Sequence, residues 1–594
     1  MTYRILTRGR LLFPLMLLLC SLAALVGQNP VHQLDLARLP TEIGLLTRIS
    51  GVAGNSRVGI FGVPVAGGED LDGDGHNDLA LAYMTAGPLQ RFGAGEVYLI
   101  FGSGSLGQDM VAMPSPRILR IAGLQQMAHC GDSIWMGDFN GDSRGELVIG
   151  CQDFSPSGQR QQAGALVLVH GTPLLRQMAV EQQTLDLAAP PGGVEVLRIE
   201  GAQAAARLGI WMRNGDVDGD GIDDLVAGAD REDDRRGAVY VLRGGSHLSS
   251  GGVLDIFPPP QRLQGHVARI HVDGLPAGAH FGATCQSGDL DGNGRAEVLA
   301  AATLNRAGAS LSGAGLGQGG VLGGASYIVW DESFPAGLWP DDYSFALEEA
   351  PGPVSVLNGE GVGVSFGEEL LAGADLDGDG APDLYVGDLA AIGFTGEGWV
   401  FFDAASLKGR QIALNAMPPD IRLSRIIGPE GGALGSDTAA LGDFDGDGWQ
   451  DLLIGAPTAS VHIDGEERNS AGKVHIFYGQ AGAWPSFIDT SPEGLAQLEG
   501  LRVTEVLGAS GSAAGDRGDT LCYSAAAGDM DGDGLPEALI NEMVGNGPGP
   551  ADIDIGNIIV LGWRTLAPLL TSQAPPTRPV RNLPPRPPRP SPPR

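Results

Sequence analysis

Short apolar runs recur along almost the whole chain, bounded by Gly, Asp or Pro, and no helical periodicity connects them. One set is rich in β-branched and aromatic residues: EVYLIFG at 96–102, ALVLVHG at 165–171 and AVYVLRG at 238–244. Its later members are ASYIVW from Ala325, WVFFD from Trp399, KVHIFYG from Lys473 and NIIVLG from Asn557. That composition predicts strands. A second set is short and ends in Gly: RISG from Arg48, RIAG from Arg120, RIEG from Arg198, then ARIHVDG, VSVLNG, SRIIG and AQLEG. Between the two sets returns a polar stretch, D-x-D-x-D-G-x-x-D/E, followed by another apolar run ending near Gly or Ala. The pattern predicts units of about four strands.

The polar stretches begin at Asp70, Asp138, Asp216, Asp289, Asp375, Asp443 and Asp529, so successive starts differ by 68, 78, 73, 86, 68 and 86 residues. Seven four-stranded units in such a series predict an all-β, seven-bladed β-propeller, whose radial repetition leaves only short protected edges. The ends are complementary. The Gly-ending strand at 46–51 has no acidic stretch before it, and the stretch at Asp529 has no such strand after Leu561. The N-terminal strand is therefore expected to fill the outer position of the blade that carries Asp529.

The acidic stretches have the chemistry of a hard-cation cage. Carboxylates at positions 1, 3, 5 and 9 converge because Gly at position 6 permits the turn, and position 7 offers its backbone carbonyl. Five copies are complete: Asp70, Asp72, Asp74, Asp78; Asp216, Asp218, Asp220, Asp224; Asp375, Asp377, Asp379, Asp383; Asp443, Asp445, Asp447, Asp451; and Asp529, Asp531, Asp533, Glu537. A sixth, Asp289, Asp291, Asn293, Glu297, keeps every oxygen but loses a charge and is expected to bind more weakly. In the seventh, Asp138, Asn140, Asp142, Glu146, Ser143 also replaces the position-6 Gly. His76, Ile222, Arg295, Ala381, Trp449 and Leu535 occupy position 7 of the other six. Many oxygens in a flexible loop favour calcium over magnesium, and carboxylates packed this closely repel one another without a cation. Calcium is thus expected to be structural and to sit at hairpin tips on one face.

These motifs resemble the FG-GAP repeats of integrin α-subunit propellers. The Phe-Gly element stands at Phe61-Gly62, Phe281-Gly282 and Phe366-Gly367, and is altered to Cys130-Gly131, Leu208-Gly209, Leu434-Gly435 and Leu521-Cys522. Gly-Ala-Pro survives in full at 455–457 and in part at Gly228-Ala229. The resemblance spans roughly residues 41–563. It implies a binding or adhesion module that engages protein partners, or glycans, on the face opposite the calcium loops. That face would carry residues 229–236, 304–320, 458–470, 541–554 and the entering segment 501–520. No later run is long enough to span a membrane, so a propeller without integrin-type leg domains is expected.

Composition narrows the partners. The chain has 594 residues, 94 of them Gly, with 43% apolar and 18% charged content, which suits many short strands around a large core. A formal net charge of -34 excludes electrostatic affinity for nucleic acid or an anionic membrane. Arg4, Arg8 and Arg10, the apolar run 11–26 and the following Gly-Gln-Asn-Pro read as a signal peptide over 1–28, with an uncleaved anchor as the alternative. Leu19 before Cys20 disfavours lipidation. A secreted or extracytoplasmic propeller over 41–565 and a disordered Pro/Arg tail over 573–594 follow. Cys130 and Cys151 flank the Asp138 turn almost symmetrically and either pair as a disulfide or stay buried and free.

Catalytic motifs do not assemble. Gly141-Asp142-Ser143-Arg144-Gly145 fits G-x-S-x-G but precedes a strand, not the helix a nucleophile elbow needs. The ten histidines are scattered, without H-E-x-x-H or a Gly-rich phosphate loop. Arg517-Gly518-Asp519 spells an integrin-recognition tripeptide, which coincidence explains in a chain so rich in Gly and Asp. The expectation is a binding protein and not an enzyme; the alternative is a secreted propeller-fold glycan hydrolase or lyase using paired carboxylates.

Overall fold

The computed structural model describes residues 31–38, 46–51, 65–104, 110–111, 115–156, 158, 160–303, 323–359, 365–435, 439–511, 517–546 and 555–570. The proposed signal peptide, Phe61-Gly62, residues 304–320 and the Pro/Arg tail lie outside them, as does most of 541–554. Among the described residues, seven five-stranded sheets follow one another along the chain, with one further two-stranded sheet, Val461–Ile463 with Glu466–Arg468. Each of the seven carries one acidic loop between its first and second strands, so the fold is the seven-bladed β-propeller the repeats predict. The second strands are Asp78–Tyr83, Glu146–Cys151, Asp224–Ala229, Glu297–Ala302, Asp383–Asp388, Asp451–Ala456 and Glu537–Glu542. Every one opens on the ninth residue of its loop. The cage thus ends where the ladder begins.

Each blade has five strands rather than four. Four run antiparallel from the axis outward; the fifth lies parallel on the outer edge and arrives from the next blade. Thr184–Asp186, between the third and fourth strands of the second blade, pairs with Ile118–Ala122 of the first. Gly252–Asp255, Tyr343–Ala346, Gln411–Ala413 and Phe487–Asp489 repeat the device in later blades. These crossing strands are only two to five residues long and leave no spacing signal in the sequence.

Ring closure follows the expected route and adds one strand to it. Leu46–Ser50 pairs antiparallel with Asn557–Leu561 as the outer strand of the blade carrying Asp529. Val31–Asp35, just ahead of it, is that blade's crossing strand and pairs parallel with Val503–Leu507 of the sixth blade. Two N-terminal strands therefore close two joints. The fully buried Arg468 fastens the second of them, donating to Asp35 from Nη1 at 2.7 Å and from Nη2 at 3.1 Å.

One strand lies elsewhere than its motif predicts. AQLEG at 496–500 follows the helical turn Pro492–Leu495, capped by Ser491, and the fourth strand of that blade is Val503–Leu507. Its third residue is Glu505, where other blades place Arg120, Arg198, Arg269, Arg425 and Arg48. The partner is exchanged as well. Arg120 and Arg425 meet Glu96 and Glu397, whereas Glu505 accepts from Lys473 at 2.7 Å. A search for R-I-x-G misses a blade whose charge pair is reversed.

Blades have no separate cores. Seven apolar clusters are shared between neighbours around the ring; Phe281, Cys285 and Tyr327 of the fourth blade, for example, pack with Val226 and Val239 of the third. The Phe-Gly element is the joint itself. Gly131, Gly209, Gly282, Gly367 and Gly435 all have φ between 83° and 97°. A Cβ on Gly228, at the end of a second strand, would stand 2.0 Å from the Gly282 carbonyl oxygen, and one on Gly150 2.1 Å from that of Gly209. Gly of the Gly-Ala element and Gly of the next blade's Phe-Gly element thus exclude side chains from one contact. In the seventh blade Cys522 adopts φ 66° at the same position. Cys130 and Cys151 face each other across the first two strands of the second blade and form a disulfide, while Cys285 and Cys522 are buried.

The joint makes a direct prediction. Gly282→Ala forces a side chain to φ 83° with its Cβ 2.6 Å from the Ala238 carbonyl oxygen. It should lower unfolding free energy by at least about 2 kcal/mol in urea denaturation.

Candidate metal centres

All seven acidic loops share one hydrogen-bonded skeleton. The position-1 carboxylate accepts backbone N–H groups of positions 4 and 6: Asp70 accepts from Gly73 at 2.7 Å and Gly75 at 2.8 Å, Asp529 from Gly532 and Gly534, both at 2.8 Å. Position 9 is the inner pillar. It accepts the N–H of position 2, as Asp78 does from Leu71 at 2.9 Å and Asp451 from Phe444 at 2.8 Å. Position 5 accepts the N–H of position 7 in all seven loops, so the position-7 carbonyl is carried on a fixed peptide.

Two features of the loop escaped the D-x-D-x-D-G pattern although both stand in the sequence. Position 2 is apolar in every copy, and Leu71, Phe139, Val217, Leu290, Leu376, Phe444 and Met530 are all buried. They anchor each loop to an inter-blade core. Position 4 is always Gly, with φ between 72° and 82° from Gly73 to Gly532. A left-handed residue is required there as well as at position 6.

The carboxylates converge. Asp70, Asp72 and Asp78 bring ligand oxygens within 4.8 Å of one another, and so do the corresponding residues of the loops at Asp216, Asp289, Asp375 and Asp443. The position-9 groups are buried, and desolvation pushes Asp78, Asp224, Glu297 and Glu537 up to about 8 and Asp383 to about 7. Neighbouring loop carboxylates push the same way, and backbone N–H donors oppose them. Glu297 is fully buried, and its Oε1 has no hydrogen-bond partner. An oxygen-rich cage with a buried, unsatisfied carboxyl oxygen fits a hard divalent cation.

The second loop differs in kind. Asn140 turns its amide onto Glu146, and His170 Nδ1 lies 3.4 Å from the same carboxylate. Ser143 takes φ 70° where the other loops have Gly. The would-be ligand is satisfied from within.

Basic side chains stand against the other six. Arg502 reaches Asp445 at 3.1 Å and Asp447 at 2.7 Å. Arg422 does the same for Asp377 and Asp379, Arg564 for Asp531 and Asp533, and Arg243 for Asp218 and Asp220. Arg176 lies 3.7 Å from Asp72, and Lys408 2.9 Å from Asp291. Positions 3 and 5 thus carry a counter-charge that repulsion among carboxylates alone does not anticipate.

Two other motifs resolve structurally. Asp519 of the Arg-Gly-Asp tripeptide is buried and accepts from the N–H groups of Ala509 at 2.6 Å and Ser510 at 2.7 Å and from the Ser510 hydroxyl. It holds a loop together and is not displayed. Ser143 of the G-x-S-x-G stretch donates its N–H to Asp138, and Glu146–Cys151 follows it as a strand.

A family model described as FG-GAP repeat matches residues 61–100, 209–242 and 435–477. The matches end with the third strands of the first, third and sixth blades. Integrin alpha-PS5 of Drosophila melanogaster is 29% identical over 242 residues, 40% of this chain and 21% of that protein. Integrin alpha-3 of Mus musculus is 34% identical over 133 residues, 21% and 10% of the two chains. Phosphatidylinositol-glycan-specific phospholipase D of Mus musculus is 28% identical over 157 residues, 26% and 17%. The chain spans about a fifth or less of the length of these relatives. The solved V. cholerae biofilm matrix protein Bap1 aligns with 87% of this chain and 90% of its own at 12% identity and a TM-score of 0.21, which carries no argument. Three of the seven blades are thus matched by the FG-GAP repeat model, and the chain, a seven-bladed propeller of one plan, is similar over part of its length to integrin α-subunits.

Proposed function

We propose that the chain is an extracytoplasmic, calcium-stabilised recognition module without catalytic activity, which engages protein partners on the face opposite its acidic loops. The observation that carries the calcium part is the convergence of three carboxylates within 4.8 Å in loop after loop, with the buried Glu297 Oε1 left unsatisfied. Asp70, Asp216, Asp375, Asp443 and Asp529 open the strong sites, Asp289 a weaker one, and the Asp138 loop holds its own hydrogen bonds instead. Among the described residues no helix is long and apolar enough to cross a membrane.

The opposite face supports the partner reading. It carries the connections between second and third strands and those entering each new blade, and five exposed large apolar residues stand there. Leu89, Phe92 and Met127 gather at one joint, where Met127 N–H donates to the Phe92 carbonyl at 3.0 Å, and Ile392 and Phe394 stand at the fifth blade. Loops of varied composition on a rigid ring, with exposed aromatic and aliphatic anchors, suit protein recognition.

Calcium at ten times the dissociation constant adds about 1.4 kcal/mol per site, so five sites add about 7 kcal/mol. Adding EDTA to the purified protein should lower its melting temperature by about 5 °C or more, and calorimetry should register at least five calcium ions. Unchanged melting and no uptake would overturn the reading.

Proton competition gives a second expectation. Position-9 carboxylates raised to about 8 stabilise the metal-free fold fully only below the unfolded carboxylate range, and that contribution is lost as pH rises through about 8. In chelator the melting temperature should therefore fall between pH 6 and pH 8. Calcium requires the ionised form, so apparent affinity should rise over the same interval, by up to about tenfold per pH unit per site.

For the partner face, the double variant Phe92→Ser, Phe394→Ser should retain the wild-type melting curve and lose specific capture of extracellular proteins. Equal capture by the variant would place recognition elsewhere.

A further inference from the structure

The acidic loops touch one another in a closed belt. In each loop the side chain at position 7 or 8 rests on the position-4 Gly of the preceding blade's loop. A Cβ on Gly378 would stand 2.5 Å from Trp449 Cζ3, one on Gly446 2.9 Å from Leu535 Cδ1, and one on Gly141 2.8 Å from Ile222 Cδ1. Arg144 lies on Gly73, Arg295 on Gly219 and Pro382 on Gly292 in the same way. His76 completes the circle on Gly532, with Nδ1 2.6 Å from the Cβ position, joining the first blade to the seventh.

Backbone hydrogen bonds run alongside. At three joints the position-8 N–H of one loop donates to the position-1 carbonyl of the loop before it: Ala296 to Asp216 at 2.7 Å, Gly145 to Asp70 at 3.3 Å and Asn77 to Asp529 at 3.3 Å; Pro382 and Pro536 hold position 8 in two other loops and have no N–H to donate. Position 1 is a proposed ligand residue, and position 8 adjoins the proposed ligand carbonyl at position 7. One peptide therefore belongs to two neighbouring cages.

We propose that calcium binding is positively coupled from loop to loop around the ring, through this belt; the inference rests on the calcium reading above. Filling one cage fixes the turn at positions 4–6. That fixes the surface supporting the next loop's position-7 or position-8 side chain and, at three joints, the acceptor for its position-8 N–H, so the next cage is ordered at lower entropic cost. Glycine at position 4 is then needed twice, for its backbone conformation and for the contact.

The test uses the whole chain and calcium alone, titrated in competition with a chromophoric chelator. The wild-type protein should bind with a Hill coefficient above 1. Trp449→Ala keeps every proposed ligand, because position 7 contributes only its carbonyl, and should lower the coefficient. Asp377→Asn should weaken the remaining sites several-fold in the wild-type background and clearly less in the Trp449→Ala background, a difference read by double-mutant cycle. Leu535→Ala at the next joint serves the same purpose if Trp449→Ala melts early in chelator. A Hill coefficient of 1 or less, with Asp377→Asn removing one site and leaving the others unchanged, overturns the coupling but leaves calcium binding intact. No calcium uptake by the wild-type protein removes the reading beneath it.

Discussion

A sheet with two apolar faces and no interior cannot be stable alone, and that constraint governs this molecule. Each blade buries its faces only against its neighbours, in seven shared clusters, so the structure is complete only when the last blade meets the first. The strands Leu46–Ser50 and Val31–Asp35 perform that closure from the N-terminal side. The two glycine-bearing elements follow from the same need. Blades approach so closely at the inner joint that Gly228 meets the Gly282 carbonyl where a methyl group would overlap it.

The acidic loops lie at the opposite end of the second strands from this joint, each between a first strand at the axis and the second strand beside it. Their buried apolar position 2 ties them into the inter-blade cores, and their buried position-9 carboxylate begins the second strand. A charge placed there must be compensated. Backbone N–H groups supply part of the compensation, and Arg243, Arg422, Arg502 and Arg564 supply more at positions 3 and 5. A cation held by these loops would therefore act on a ring already partly balanced, adding stability and order to a fold that does not depend on it for bare survival.

The legible part of this architecture was whatever repeated with a fixed chemical pattern. Acidic loops, third strands and the complementary ends were all open to reading, because alternation, β-branched content and D-x-D-x-D-G are strictly local signals. The apolar position 2 and the position-4 Gly were equally present in all seven copies but required asking where the loop is anchored. The crossing strands were not legible, since two to five residues pairing with a different blade carry no period of their own. Val503–Leu507 was hidden for another reason. Its Glu505–Lys473 pair conserves the interaction while exchanging the residues, and a motif records residues, not interactions.

The two faces of the ring are consequently under different constraints. On one, the side chain at position 7 or 8 must fit its neighbour's glycine, so it is shaped by the adjoining loop. On the other, connections between the second and third strands have no ligand geometry to satisfy. There the chain can expose Phe92 or Phe394, and in the segment entering the seventh blade it buries Asp519 inside its own loop. Rigidity collected on the acidic side is what allows such variety opposite it, because a loop can change its composition freely only when the strands at its base are held from elsewhere.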